Sequence, residues 1–183
     1  MFEGFDGVLQ AARLGAEWAW REIYGDLAPD VLRYARASRV TDPDGLVGEV
    51  FLRVLRGIER FEGDGMAFRA WVFTVARNLA IDERRRGRRR RTEPVSLEVL
   101  VDVGPTGDAE TEAMRALAEE RVRGVLDRLT TDQRDVLLFR ILGDLTIEEV
   151  ASALGKSPGA IKALQARALA TIRRMISTGA VSL

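Results

Sequence analysis

The sequence predicts an all-helical protein built as two small domains on a flexible linker, the second of them carrying a helix-turn-helix. Three observations lead there. Apolar residues recur at helical spacing through most of the chain, and the alternation expected of a half-buried strand is absent. A stretch from Thr92 to Asp108, holding Pro94, Gly104, Pro105 and Gly107, interrupts that periodicity and reads as a tether. Near the C-terminus, Ala151, Gly155 and Ile161 stand four and six residues apart. That spacing puts a small residue where two helices touch, a glycine in the turn and a branched apolar residue in the second helix. The expected division is 1–91, 92–108 and 109–183.

Composition limits the chemistry. The 183 residues contain no cysteine and no histidine. Disulfides, thiolate nucleophiles, Cys-based zinc sites, the commonest general base and the commonest transition-metal ligand are thereby excluded. No phosphate-cradling glycine loop and no nucleophile-elbow motif occurs. The expectation is a non-enzymatic protein with no catalytic residues, metal or cofactor. No apolar run approaches the roughly 20 residues needed to span a bilayer. The start, MFEGFDGVLQ, is acidic where a secretory signal is basic, which points to a cytoplasmic chain without membrane insertion. Formal net charge is zero, yet Arg84 to Arg91 holds seven arginines while Thr92 to Met114 holds six acids and no Lys or Arg. The local field, rather than the net charge, therefore decides what each part attracts.

Taken in order, residues from about 6 to 38 read as two helices separated near YGDLAPD, with Pro29 at an early helical position. TDPDG, Thr41 to Gly45, is turn chemistry. Leu46, Val50, Val54 and Ile58 repeat every four residues, flanked by Val47, Phe51 and Leu55, which gives the next helix a wide apolar face. FEGDG, Phe61 to Gly65, ends it, and a further helix runs from about Met66 to Arg85. After the tether, four helices are expected near 110–129, 131–142, 146–154 and 157–176.

Two helices carry the functional signal. On the Met66–Arg85 helix, Phe68, Trp71, Val72, Val75 and Leu79 form a buried stripe, whereas Arg69, Phe73, Arg77, Ala80 and Arg84 share the opposite side. An aromatic among three arginines suits single-stranded nucleic acid, which wants cations for its backbone and a ring for its bases. Asn78, at the edge of the apolar stripe, could hydrogen-bond a base edge. A plainer reading packs Phe73 on the N-terminal helices and leaves Asn78 a surface amide. On the last helix, Ser157 and Pro158 supply an N-cap and a first-turn proline. Ile161, Leu164, Ala168, Ile172 and Met175 face the core, and Gly159, Lys162, Ala163, Ala166 and Arg167 face outward. Small side chains let the backbone approach a groove, and the two cations can reach phosphates or guanine edges. A plain helical hairpin is the bland alternative, and a polymerase-independent helix-turn-helix regulator is the competing functional class.

Together these residues resemble a known family. GLVGEVFLRVLRGIERFEGDGMAFRAWVFTVARNLAIDERRR, followed after a linker by LDRLTTDQRDVLLFRILGDLTIEEVASALGKSPGAIKALQARALATIRR, is similar to bacterial RNA polymerase sigma factors of the extracytoplasmic-function group. The resemblance implies a first domain that docks on the clamp helices of the largest polymerase subunit and melts the minus-ten element. It implies a second domain that binds the minus-thirty-five duplex and the flap of the second-largest subunit, with an anti-sigma factor as an optional further partner. Carried over by position, Val47, Glu49, Phe51, Leu52 and Leu55 correspond to polymerase contacts. Phe61, Glu62, Gly63 and Asp64 correspond to the loop that captures a flipped base, with Arg69, Phe73, Arg77, Asn78, Arg84 and Arg85 completing the minus-ten surface. Ser157, Gly159, Ala160, Lys162, Ala163, Ala166 and Arg167 correspond to the recognition helix. Gly45 and Gly48 stand where the family usually has an acid and a Gln, and Ala163 and Leu164 replace a common Ser-Arg pair, so docking should rest more on apolar contacts and Glu49.

Overall fold

The computed structural model describes residues 4–90, with side chains to residue 86, and residues 120–178. The 92–108 tether lies outside the described residues. Among those described there is no strand. Four helices, α1 (Phe5–Arg13), α2 (Glu17–Ala37), α3 (Pro43–Gly57) and α4 (Gly65–Arg90), form the first unit, with a 3-10 turn at Ile58–Arg60. The second unit comprises α5 (120–127 as described), α6 (Thr131–Ile141), α7 (Ile147–Leu154) and α8 (Pro158–Ser177).

Local chemistry explains most boundaries. Gly15, at φ +82°, takes the left-handed conformation that ends α1. Here the structure corrects the expected break near YGDLAPD: α2 runs straight through Pro29. TDPDG is a helix start rather than a free turn, since Asp42 caps α3 by accepting from the Gly45 amide at 2.9 Å and Pro43 occupies the first turn. Thr130 with Gln133 and Thr146 with Glu149 form reciprocal capping boxes on α6 and α7. Ser157 accepts from the Ala160 amide at 3.2 Å and starts α8.

The helix-turn-helix closes as its spacing requires. Ala151 and Ile161 are buried, and Gly155 caps α7 with φ +62°. A Cβ at Gly155 would meet no neighbour, so the cost of Gly155→Ala is conformational. It should destabilise the protein by about 1–2 kcal/mol, read as a lowered midpoint in a denaturant melt.

The two units are packed against each other. Helix α4 lies against α6 and α7, and one continuous apolar core runs from Phe5 in α1 to Ala168 in α8. At its centre Tyr34, Phe73 and Phe139 meet edge to face, with ring centroids 5.6–6.0 Å apart.

Candidate nucleic-acid and polymerase interfaces

The loop between α3 and α4 is built from below. The Phe61 ring stacks on Trp71 at 5.1 Å and 13°, and meets Phe68 edge-on at 5.4 Å. Arg13, on α1, places its guanidinium 5.6 Å from the Phe61 ring centroid and donates to the Phe61 carbonyl at 2.8 Å. Asp6, also on α1, accepts from the Gly65 amide at 2.7 Å, while Asp64 accepts from the Ala67 amide at 2.8 Å and caps α4. Gly63 takes φ +143°, and a Cβ there would stand 2.9 Å from that of Ala67. The result is a fixed loop with Glu62, Gly63 and Asp64 exposed and Phe61 used as its footing. Sequence reasoning missed Arg13 and Asp6. They lie 48 and 59 residues from their partners, and nothing local marks them.

The arginine-lined face of α4 does not open to solvent, which corrects the sequence expectation. Phe73 is fully buried between Tyr34 and Phe139. Arg69 is only 6% exposed: Nε donates to the Gly143 carbonyl at 2.7 Å, and Nη2 to the Leu142 carbonyl at 2.9 Å and to Asp30. Nη1 reaches Asp26 at 3.3 Å. Those carbonyls belong to the C-terminal end of α6, where unpaired C=O groups and the helix dipole favour a cation. A Cβ on Gly143 would sit 2.4 Å from the Phe139 carbonyl, so the glycine is what lets this turn fold so tightly under Arg69. Arg77 donates to Asp135 at 2.6 Å and to Asp132 at 3.4 Å. The physical reason is pairing: α2, α6 and the turn that follows α6 supply the carboxylates, carbonyls and rings that a free face would have sought from DNA. Arg84 is half-buried, with Nε on the Ala80 carbonyl at 3.2 Å, while Asn78 and Arg85 stay exposed. The buried stripe of Phe68, Val72 and Leu79 is as read, with Trp71 and Val75 partly buried.

On α3, Val47 and Phe51 pack inside and are not surface residues. The exposed members are Leu52 and Leu55, each 48% exposed, beside the half-buried Glu49, which pairs with Arg53 at 2.7 Å. Tyr24 of α2, 50% exposed and 4.7 Å from the Phe51 ring, extends that apolar surface and was not anticipated. At Gly45 the capping carboxylate of Asp42 occupies the space a Cβ would take, whereas Gly48 faces open space.

On α8 the outward face is open: Ser157, Gly159, Lys162, Ala163, Ala166 and Arg167 are exposed and Ala160 is half-buried. Arg167 bonds only its own helix, Nε to the Ala163 carbonyl at 3.2 Å.

Two family models match this chain, Sigma-70 region 2 over residues 23–90 and Sigma-70 region 4 over residues 119–172. They fall on α2–α4 and α5–α8, in order. The ECF RNA polymerase sigma factor SigD of Mycobacterium tuberculosis is 31% identical over 182 residues, covering 93% of this chain and 83% of that protein. The chain belongs to the extracytoplasmic-function sigma factors. BldN of Streptomyces coelicolor, another ECF sigma factor, is 32% identical over 92% of this chain, which spans 64% of that relative's length. The solved structure of CnrH in complex with the cytosolic domain of CnrY covers 96% of this chain and 99% of that chain, with a TM-score of 0.72 and 22% identity; at that identity the likeness bears on the fold. Sigma factors are not a class of enzymes. Among the described residues of this sigma factor no group of three metal-ligating side chains occurs, and no helix is long and apolar enough to cross a membrane.

Proposed function

We propose that this sigma factor is a dissociable, cytoplasmic, non-enzymatic initiation factor that gives core RNA polymerase its promoter preference and helps to open the DNA. Helices α1–α4 serve as the docking and melting domain, and the second unit as the minus-thirty-five reader. The observation that carries the reading is the pair of sigma-region matches, in order, over two helical units, with the small-residue face of α8 open to solvent. Polymerase docks on Glu49, Leu52, Leu55 and Tyr24. Duplex DNA lies along α8, with Lys162 and Arg167 on phosphates or guanine edges. Glu62, Gly63, Asp64 and Asn78 receive an unstacked base, whose extraction costs a few kcal/mol and so needs the polymerase to hold the strands apart.

Purified core polymerase, this protein and fragmented genomic DNA should give transcripts from discrete start sites. If the protein forms no complex with core polymerase at moderate salt and instead binds a palindromic duplex alone, the polymerase-independent regulator takes its place. Lys162→Ala with Arg167→Ala should weaken binding to the promoter duplex and lower the log–log salt slope by about 0.9 for each phosphate no longer neutralised. Both side chains are solvent-facing, so the melting transition should not move.

A further inference from the structure

We infer that α1 is a positioning element for base selection, with Asp6 and Arg13 holding the loop between α3 and α4 in the shape that receives an unstacked base, which rests on the reading of that loop as the base receiver. The match to Sigma-70 region 2 begins at residue 23, so α1, at Phe5–Arg13, lies outside it. Helix α1 is anchored by Phe5, Val8, Leu9 and Ala12, all buried, and the Phe5 ring lies 6.2 Å from that of Phe68 on α4. Asp6 and Arg13 are seven residues apart, about two helical turns, and so project from the same side of the helix.

The two side chains grip the loop at opposite ends. Arg13 Nη2 donates to the Phe61 carbonyl at 2.8 Å and reaches the Gly63 carbonyl at 3.4 Å, so one guanidinium brackets Glu62. The same group covers the Phe61 ring, a cation–π contact that ties the side chain as well as the backbone. At the other end, Asp6 Oδ1 accepts from the amide of Gly65, one of the donors left without an intrahelical partner at the start of α4. These polar atoms are spent on the backbone of the loop rather than turned toward DNA, which makes Asp6 and Arg13 positioning residues. A loop already fixed in its receiving shape loses little freedom when a base enters. It also keeps its donors and acceptors in one arrangement, and the four bases differ in the edge groups they offer to that arrangement. Without the grip, the loop adapts to whichever base arrives, and preference falls.

The test uses holoenzyme assembled from core RNA polymerase and the full chain, with a single-stranded DNA pool of randomised sequence as the probe. The captured position is the one at which the wild type enriches a particular base and Asn78→Ala flattens the enrichment. At that position, Arg13→Ala and Asp6→Ala should each reduce the ratio of best to worst base on the order of fivefold, the worth of about one hydrogen bond. Asp6→Asn, which keeps an acceptor for the Gly65 amide, should restore it. Gly63→Ala strains the same loop from within, at φ +143° and with a Cβ 2.9 Å from that of Ala67, and should flatten the same ratio. Affinity for core polymerase should not change in the Asp6 and Arg13 variants. A merely structural defect would lower the active fraction and scale all four affinities together, leaving their ratio intact. That result overturns the inference, and so does an unchanged ratio in both alanine variants. If Asn78→Ala flattens no position, the base-receiver reading falls and takes the inference with it; if it flattens one that Asp6→Ala and Arg13→Ala leave intact, the inference alone falls.

Discussion

Phe73→Ala should destabilise the protein by about 3–5 kcal/mol, the usual cost of deleting a fully buried aromatic ring. Phe73 is fully buried and packs edge to face with Tyr34 and Phe139, one from each unit. The truncation opens a cavity where neither can close it without moving a helix. Denaturant unfolding of the variant is the measurement. On the helical wheel alone, the same ring is a platform for a base, and its loss would leave stability untouched while weakening strand binding by about 1–3 kcal/mol per stacked base. The structure assigns that ring to the core instead, so the expected loss is one of stability. An unchanged melt with a loss of strand affinity would return Phe73 to the DNA-facing surface.

Leu52→Asp with Leu55→Asp should abolish polymerase docking while leaving the fold intact. Each leucine is 48% exposed on α3, so roughly half of its side chain is available to a partner and little of the core depends on it. Burying a leucine contributes about 1.5–3 kcal/mol, and a charge placed in the same contact adds a desolvation cost, so affinity for core polymerase should fall by a factor on the order of 100 or more. Stability should stay within about 0.5 kcal/mol, as for surface changes away from structural features. Phe51→Ala is the contrasting variant, since the Phe51 ring lies inside against Tyr24 and its removal should lower the melting midpoint. Retained binding of the double variant at native affinity would move docking off α3.

Much of the architecture was legible because it is local. The capping serine, the left-handed glycine and the buried isoleucine of the helix-turn-helix stand within seven residues of one another, and each acts through backbone rules that hold in any context. The capping threonines Thr130 and Thr146 likewise fix helix starts from three residues away. Where local signals compete, the expectation failed: Pro29 suggested a break, yet α2 runs through it, and the break fell at Gly15 instead.

The all-helical class, the helix-turn-helix, the family and the existence of two opposed faces on α4 follow from the order of residues along the chain. A helical wheel gives the angle between those faces, but not what is packed on either. That depends on pairs of residues 58, 73 and 101 positions apart, Arg77 with Asp135, Arg69 with Leu142 and Tyr34 with Asp135. An arginine is equally satisfied by a phosphate, a carboxylate or the carbonyl end of a helix, so its presence marks the chemistry of a partner without naming it. The tertiary structure named one: the second unit of the same chain.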